Sequence, residues 1–201
     1  MDTAGERIYL AVDGDGVSTM VLTTRTYTAD DLWQMPGDEP WELWDGELRQ
    51  VPSAGGRASR IAGKVLTRLS IHLMSNDLGI VTGADGTYIL FPDQRTAIVP
   101  DVAFVRWERL PNREVPDKYI PVPPDLAVEV QSPTDEPGDM TAKRALYARA
   151  GVPLLWWVDP AARTVTVHRP GQAPITLTEA DTLDGADVLP GLSIPVAEIF
   201  V

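Results

Sequence analysis

Leu126-Ala127-Val128-Glu129-Val130-Gln131 is the stretch on which the reading of this sequence turns. Apolar neighbours on both sides of Glu129 predict a strand covered on both faces. An ionised glutamate inside such a strand is costly to desolvate, so it needs a cation, a metal or a hydrogen-bond cage. A second acid, Asp101, opens another apolar run, Val99-Pro100-Asp101-Val102-Ala103-Phe104-Val105. Two such acids on neighbouring strands make a site for a hard cation such as Mg²⁺ or Mn²⁺. The metal would lower the pKa of a bound water and stabilise charge on a phosphodiester in flight. Lys143, on the next predicted helix, would position the attacking water or neutralise phosphoryl oxygens. Glu47, in a strand-like run near the first long helix, is a further ligand or an outer residue orienting the others.

Outward from these acids, the chain alternates strands and helices. Thr28 caps a short helix, Ala29 to Met35, closed by Pro36-Gly37. Trp41-Glu42-Leu43-Trp44 and Glu47-Leu48-Arg49-Gln50-Val51 are strand-like and joined by the hairpin dipeptide Asp45-Gly46. Ile61, Val65, Leu69 and Leu73 stand four apart and predict a helix from Arg57 to about Asp77. Ile80-Val81, Tyr88 to Phe91 and Val99 to Val105 are the following strands. Leu110 to Pro124 holds five prolines and reads as a loop or a flexible lid over the site. A helix from about Met140 to Ala150 stops at Gly151. The buried strand Leu154 to Val158, then Thr164 to His168 and Ile175 to Leu177, complete an α/β domain with a mixed sheet.

The 201 residues suit one generous domain, 44% hydrophobic and 23% charged. There is no cysteine, which removes disulfides, thiolate zinc sites and cysteine nucleophiles and fits a reducing cytoplasm. No run reaches the roughly 20 apolar residues of a membrane helix, and no signal sequence is recognisable. A net charge of −12 argues against broad non-specific adhesion to nucleic acid, although a local basic face can act inside an acidic whole.

Arg57, Arg60, Lys64 and Arg68 form such a face, three or four residues apart along the long helix. They are candidates for contact with a phosphate backbone; a solvated face opposite Ile61 and Val65 is the plainer reading of the same spacing. Asp13-Gly14-Asp15-Gly16 lacks the remaining ligands of a calcium loop and reads as a turn. His72 and His168 have no second histidine at ligand spacing, so zinc is not expected. Trp156 and Trp157 alternate across a strand and are read as core. Asp101, taken alone after a proline, also reads as a turn or cap residue, and Gln131 as a hydrogen-bonding residue of the sheet.

Several of these segments together resemble one family. They are Glu42-Leu43-Trp44-Asp45-Gly46-Glu47-Leu48, Pro100-Asp101-Val102, Val128 to Pro133, Lys143 with Tyr147, and Gly151-Val152-Pro153 through Asp159-Pro160. In order and spacing, over roughly residues 27–200, they are similar to the Uma-two family of PD-(D/E)XK, restriction-endonuclease-like nucleases. The resemblance implies a restriction-endonuclease-like mixed central sheet flanked by helices, with residues 1–26 a peripheral extension. It implies a Mg²⁺-dependent (or Mn²⁺-dependent) DNA endonuclease in which Asp101, Glu129 and the carbonyl of Val130 hold the metal. Glu47 would be the amino-terminal acid and Lys143 a lysine relocated onto the helix.

Two departures stand out. Gln131 occupies the place of the superfamily lysine; glutamine is found there in some restriction enzymes and can hold a water, but carries no charge. Arg57-Ala58-Ser59-Arg60 stands where the family commonly has a histidine. Both favour the rival reading, a catalytically inactive nuclease-fold binding or interaction module. A metal-free hydrolase with paired carboxylates, as in glycosidases, is a further rival without support in the sequence. A homodimer fits an enzyme that cuts both strands.

Overall fold

Alternation of side chains along the strands decides which residues reach which face of the sheet. The computed structural model describes residues 7–12, 18–23, 26–35, 41–51 and 54–201. The first half of the chain runs β1 (Arg7–Val12), β2 (Ser18–Thr23), α1 (Ala29–Trp33), β3 (Trp41–Trp44), β4 (Glu47–Gln50), α2 (Gly56–Ser75), β5 (Gly79–Gly83), β6 (Tyr88–Ile89) and β7 (Ala97–Ile98). It continues through β8 (Val102–Arg106), β9 (Leu126–Val130), α3 (Pro137–Arg149), β10 (Leu154–Asp159), β11 (Thr164–His168), β12 (Ile175–Leu177), β13 (Thr182–Asp184), β14 (Ser193–Pro195) and α4 (Val196–Phe200). No helix among the described residues is long and apolar enough to cross a membrane.

The central sheet has six strands in the order β12-β11-β10-β9-β8-β5. Only β9 and β10 pair in parallel; the other neighbours are antiparallel, so the sheet is mixed. On β9, Leu126, Val128 and Val130 pack into the core shared with Ala58, Ile61, Val65 and Leu69 of α2. Ala127 belongs to the opposite core, with Leu146 and Tyr147 of α3 and Leu155 and Trp157 of β10. Period two therefore sends Glu129 to the α3 side. The same rule divides the tryptophans: Trp156 is fully buried on the α2 side, Trp157 on the α3 side.

A second sheet, β4-β3-β7-β6, is wholly antiparallel. Its hairpin β3–β4 turns through Asp45 (φ 50°) and Gly46 (φ 92°), the left-handed pair that the Asp-Gly signal requires. Thr28 caps α1 as expected: its hydroxyl accepts from the Asp31 amide while the Asp31 carboxylate takes the Thr28 amide.

Two of the shifts in element boundaries trace to proline. α3 starts at Pro137, earlier than expected, because proline is well suited to a first helical turn. β8 begins at Val102, after Pro100 and Asp101, because Pro100 cannot donate to the ladder. The proline-rich segment from 110 to 124 is tied into the core at its middle. Ile120 is buried, its amide donates to Thr87 and its carbonyl accepts from Ile89. β1 and β2 pair with each other. The Asp13–Gly16 turn and the Pro36-Gly37 stop lie outside the described residues.

Candidate active site

The register Val102↔Val128, carried one residue further, sets Asp101 opposite Glu129 across β8 and β9. Carried one more, it sets Val130 opposite Pro100, which has no N–H to give. The Val130 amide instead donates to Asp101 Oδ2 at 2.7 Å, and the Val130 carbonyl receives no hydrogen from the residue it faces. The proline before Asp101 thus leaves ladder positions open for the carboxylate.

α3 supplies the cation. Lys143 and Tyr147, four apart on one helix face, both reach Glu129. Lys143 Nζ lies 2.9 Å from Glu129 Oε1 and 3.1 Å from Oε2, and the Tyr147 hydroxyl donates to Oε1. The same Nζ lies 2.9 Å from Oε1 of Glu42 on β3. Glu42 is itself caged: Oε1 accepts from the Val99 amide at 2.9 Å and Oε2 from Trp44 Nε1 at 2.8 Å. Glu42 and Glu129 are both buried, and these donors offset part of the desolvation cost of each carboxylate.

One ammonium therefore serves three inward carboxylates: Glu42, Asp101 and Glu129. Burial, then the neighbouring Asp101 and Glu42, push the Glu129 pKa up to about 8 against the opposing pull of Lys143. Burial likewise raises Asp101, opposed by the Val130 amide and Lys143. For Lys143 burial opposes the charge, but Glu129 and Glu42 outweigh it and hold the pKa above its ordinary value. Burial and Glu129 keep the Tyr147 phenol protonated, well above its usual range. This is a cluster with excess negative charge, relieved by a proton or by a further cation.

The cluster opens into a cleft of about 210 Å³. Six carboxylates line it, those of Glu42, Asp101, Glu129, Asp135, Glu136 and Asp139, against the cations Lys143 and Arg49. Arg49, on β4, stacks 4.8 Å from the centre of the Trp44 ring and pairs with Asp139 of α3 at 2.9 Å. Gln131 also lines the cleft, its backbone amide donating to the Val158 carbonyl at 2.9 Å. None of residues 110–124 lines it.

The donors present suit a magnesium-sized ion: two carboxylates and a backbone carbonyl, all hard oxygens, at a place with negative charge to spare. Among the described residues no three His, Cys, Asp or Glu side chains converge in metal-binding geometry. A small ion that keeps several waters needs only one or two carboxylates.

Of the residues singled out in the sequence, Asp101, Glu129, Val130, Gln131 and Lys143 come together. Glu47 does not. Its side chain is 70% exposed on the hairpin, 3.6 Å from Arg49, and does not line the cleft. Glu42 holds the inward place instead, because alternation on β3 points Glu42 and Trp44 to the same side. Its signal in the sequence is an acid in a Trp-Glu-Leu-Trp strand, where every neighbour is apolar.

The basic stripe divides. Arg68 pairs with the Glu198 carboxylate, and Lys64 Nζ reaches the Glu198 carbonyl at 3.4 Å, so both are tied to α4. Arg57 and Arg60 are exposed near the start of α2, and Arg57 shares a second hollow with Gln131 and Ser132.

The family model Uma2, described as "Putative restriction endonuclease", matches residues 29–197. None of the curated proteins matches the chain. Among solved structures, one from Anabaena variabilis, described as a putative nuclease belonging to DUF820, has a TM-score of 0.76 and 21% identity. The match covers 87% of this chain and 97% of that one. At that identity the likeness is one of fold.

Proposed function

The chain belongs to the Uma2 family, and from that premise we propose that it is a Mg²⁺-dependent endonuclease hydrolysing DNA phosphodiester bonds. The observation that carries the reading is Asp101 opposite Glu129 with Lys143 bridging Glu129 to Glu42. Asp101, Glu129 and the Val130 carbonyl would hold Mg²⁺ or Mn²⁺. When bound, the ion supplies Lewis-acid stabilisation of charge on the phosphodiester and eases deprotonation of the attacking water.

The chain's own residues do the rest. Lys143, kept charged by Glu42 and Glu129, fixes the Glu129 carboxylate and offers its remaining donor capacity to the phosphoryl oxygens. Tyr147, one turn further along α3, also holds Glu129. Gln131 presents a neutral amide to the cleft, able to orient a water without adding charge. Glu42 acts on Lys143 as a positioning residue. Arg57 and Arg60 would meet the strand near the start of α2. Residues 27–201 would form the nuclease domain with 1–26 peripheral, acting in the cytoplasm, and a homodimer would present two sites to a duplex. Replacing Asp101 with Asn should abolish metal-dependent cleavage while leaving the thermal transition in place; cleavage equal to wild type refutes the assignment.

The second reading is a non-catalytic binding module on the same fold. Two observations favour it: Lys143 and Tyr147 already engage both Glu129 oxygens, and a cleft with six carboxylates repels a polyanion. The two readings part on whether Mg²⁺ or Mn²⁺ binds at Asp101 and Glu129.

A further inference from the structure

A further cavity, of about 310 Å³, lies along α3 on the side of the β11–β12 turn. Arg144 and Tyr147 of α3, Leu155 of β10, His168 and Arg169 at the end of β11, and Gln172 line it. No carboxylate is among its lining residues, in a chain whose net charge is −12.

The two guanidiniums are under-used where they stand. Arg144 donates to Thr141 Oγ1 at 3.1 Å and stacks 5.0 Å from the centre of the Trp157 ring; neither contact supplies a counter-charge. Arg169 Nη2 meets Asp184 at 3.1 Å, but its Nε–H is buried with no hydrogen-bond partner. A buried orphan donor is unfavourable, so its retention calls for an acceptor. His168 adds a third basic group, whose pKa burial and then Arg144 push below the ordinary value. Burial is the larger cause, and the like charge of Arg144 adds to it.

We propose that this cavity binds a phosphate group, held by Arg144, Arg169, His168 and Gln172. A tetrahedral phosphate has enough acceptor oxygens for two guanidiniums, an imidazole and an amide to share, and arginine forks match it. The volume is that of about ten waters, ample for the group and part of what it is attached to. The phosphate comes either from a free anion or mononucleotide, or from a nucleic-acid strand. Tyr147 forms part of the wall while its hydroxyl holds Glu129, so one side chain links the cavity to the acid cluster. The cavity is separate from the acidic cleft, and its occupancy does not depend on the cleavage assignment.

The test is an NMR titration of the full chain, following the His168 Cε1–H resonance at constant ionic strength set with sodium chloride. The probes are inorganic phosphate, a 5′-mononucleotide and a short duplex, each with wild type, Arg144→Gln and Arg169→Gln. Expected is saturable movement with a rise in the His168 pKa, weakened about tenfold or more in each variant. Saturation by phosphate or the mononucleotide assigns the free source; saturation by the duplex alone assigns the strand. No saturable shift with any probe overturns the proposal, as does a shift retained in both variants. Should Arg169→Gln lose its fold with the Asp184 pair, as read from its thermal transition, Arg144→Gln decides.

Discussion

Lys143 Nζ stands 2.9 Å from Glu129 Oε1, a contact between a helix and a central strand inside the protein. The lysine side chain is 14% exposed and the glutamate 9%, so water screens the pair little. Glu42 shares the same ammonium from a different sheet. The contact therefore joins three elements, β3, β9 and α3, and makes the site a structural junction as well as a chemical one.

Lys143→Met should be costly in both respects. Removing the ammonium leaves the buried Glu42 carboxylate unpaired and takes a donor from Glu129, with an expected loss of about 3–5 kcal/mol in chemical denaturation. Cleavage should fall with it. Stability unchanged within about 0.5 kcal/mol would mean that the pair does not support the junction.

Glu42 and Glu47 make opposite predictions. Glu42→Gln keeps the shape but removes a charge from the Lys143 cage, and should lower both cleavage and stability. Glu47→Gln, on an exposed hairpin position, should change stability by less than about 0.5 kcal/mol and leave cleavage at the wild-type rate. Assays of the two variants side by side decide which acid serves the site; the reverse ranking would return the role to Glu47.

Metal binding is checked by calorimetry with Mg²⁺ and Mn²⁺. Wild type should bind, and Glu129→Ala should not. A non-cleavable duplex is added if the free protein is silent, since substrate phosphate completes some metal sites. Silence in its presence as well points to the non-catalytic module.

The raised Glu129 pKa fixes the sign of a pH dependence. Between about 4.5, its ordinary value, and about 8, the folded metal-free protein holds a proton here that the unfolded chain releases. This group's contribution to stability is full below 4.5 and is lost as pH rises through about 8. Metal competes with the same proton, so its affinity should tighten with pH over that window and level off above it. Thermal scans with chelator across this range, paired with calorimetry, test both limbs. The idea fails if affinity is flat with pH or weakens.

Arg57 and Arg60 should carry DNA contact where Arg68 does not, since Arg68 is occupied by Glu198. Reversing the charge of Arg57 and Arg60 together should weaken duplex binding and reduce the slope of log affinity against log salt by about one per cation. An unchanged slope would leave the start of α2 as a solvated face.

How much of this was legible beforehand follows from the range over which each signal acts. The strand around Glu129, the capped α1, the Asp-Gly hairpin and the α2 periodicity are local patterns, written within a few residues, and the structure forms them where those patterns stand. Asp101 and Glu129 could be paired because each interrupts an apolar run. The choice between Glu42 and Glu47 could not be made that way. Both are acids on one short hairpin, and only the packing of β3 against β7 and α3 buries the first and leaves the second in solvent.

The family, the mixed α/β class and the two central acids follow from burial patterns and motif order, which are properties of the chain. Tertiary structure alone decided that Glu42 and Tyr147 complete the cluster, that Lys64 and Arg68 are tied to α4, and that Arg144, His168 and Arg169 gather around one cavity. Charges interact through space over a few ångströms, and which of them come that close is set by strand order and helix placement, not by separation along the chain.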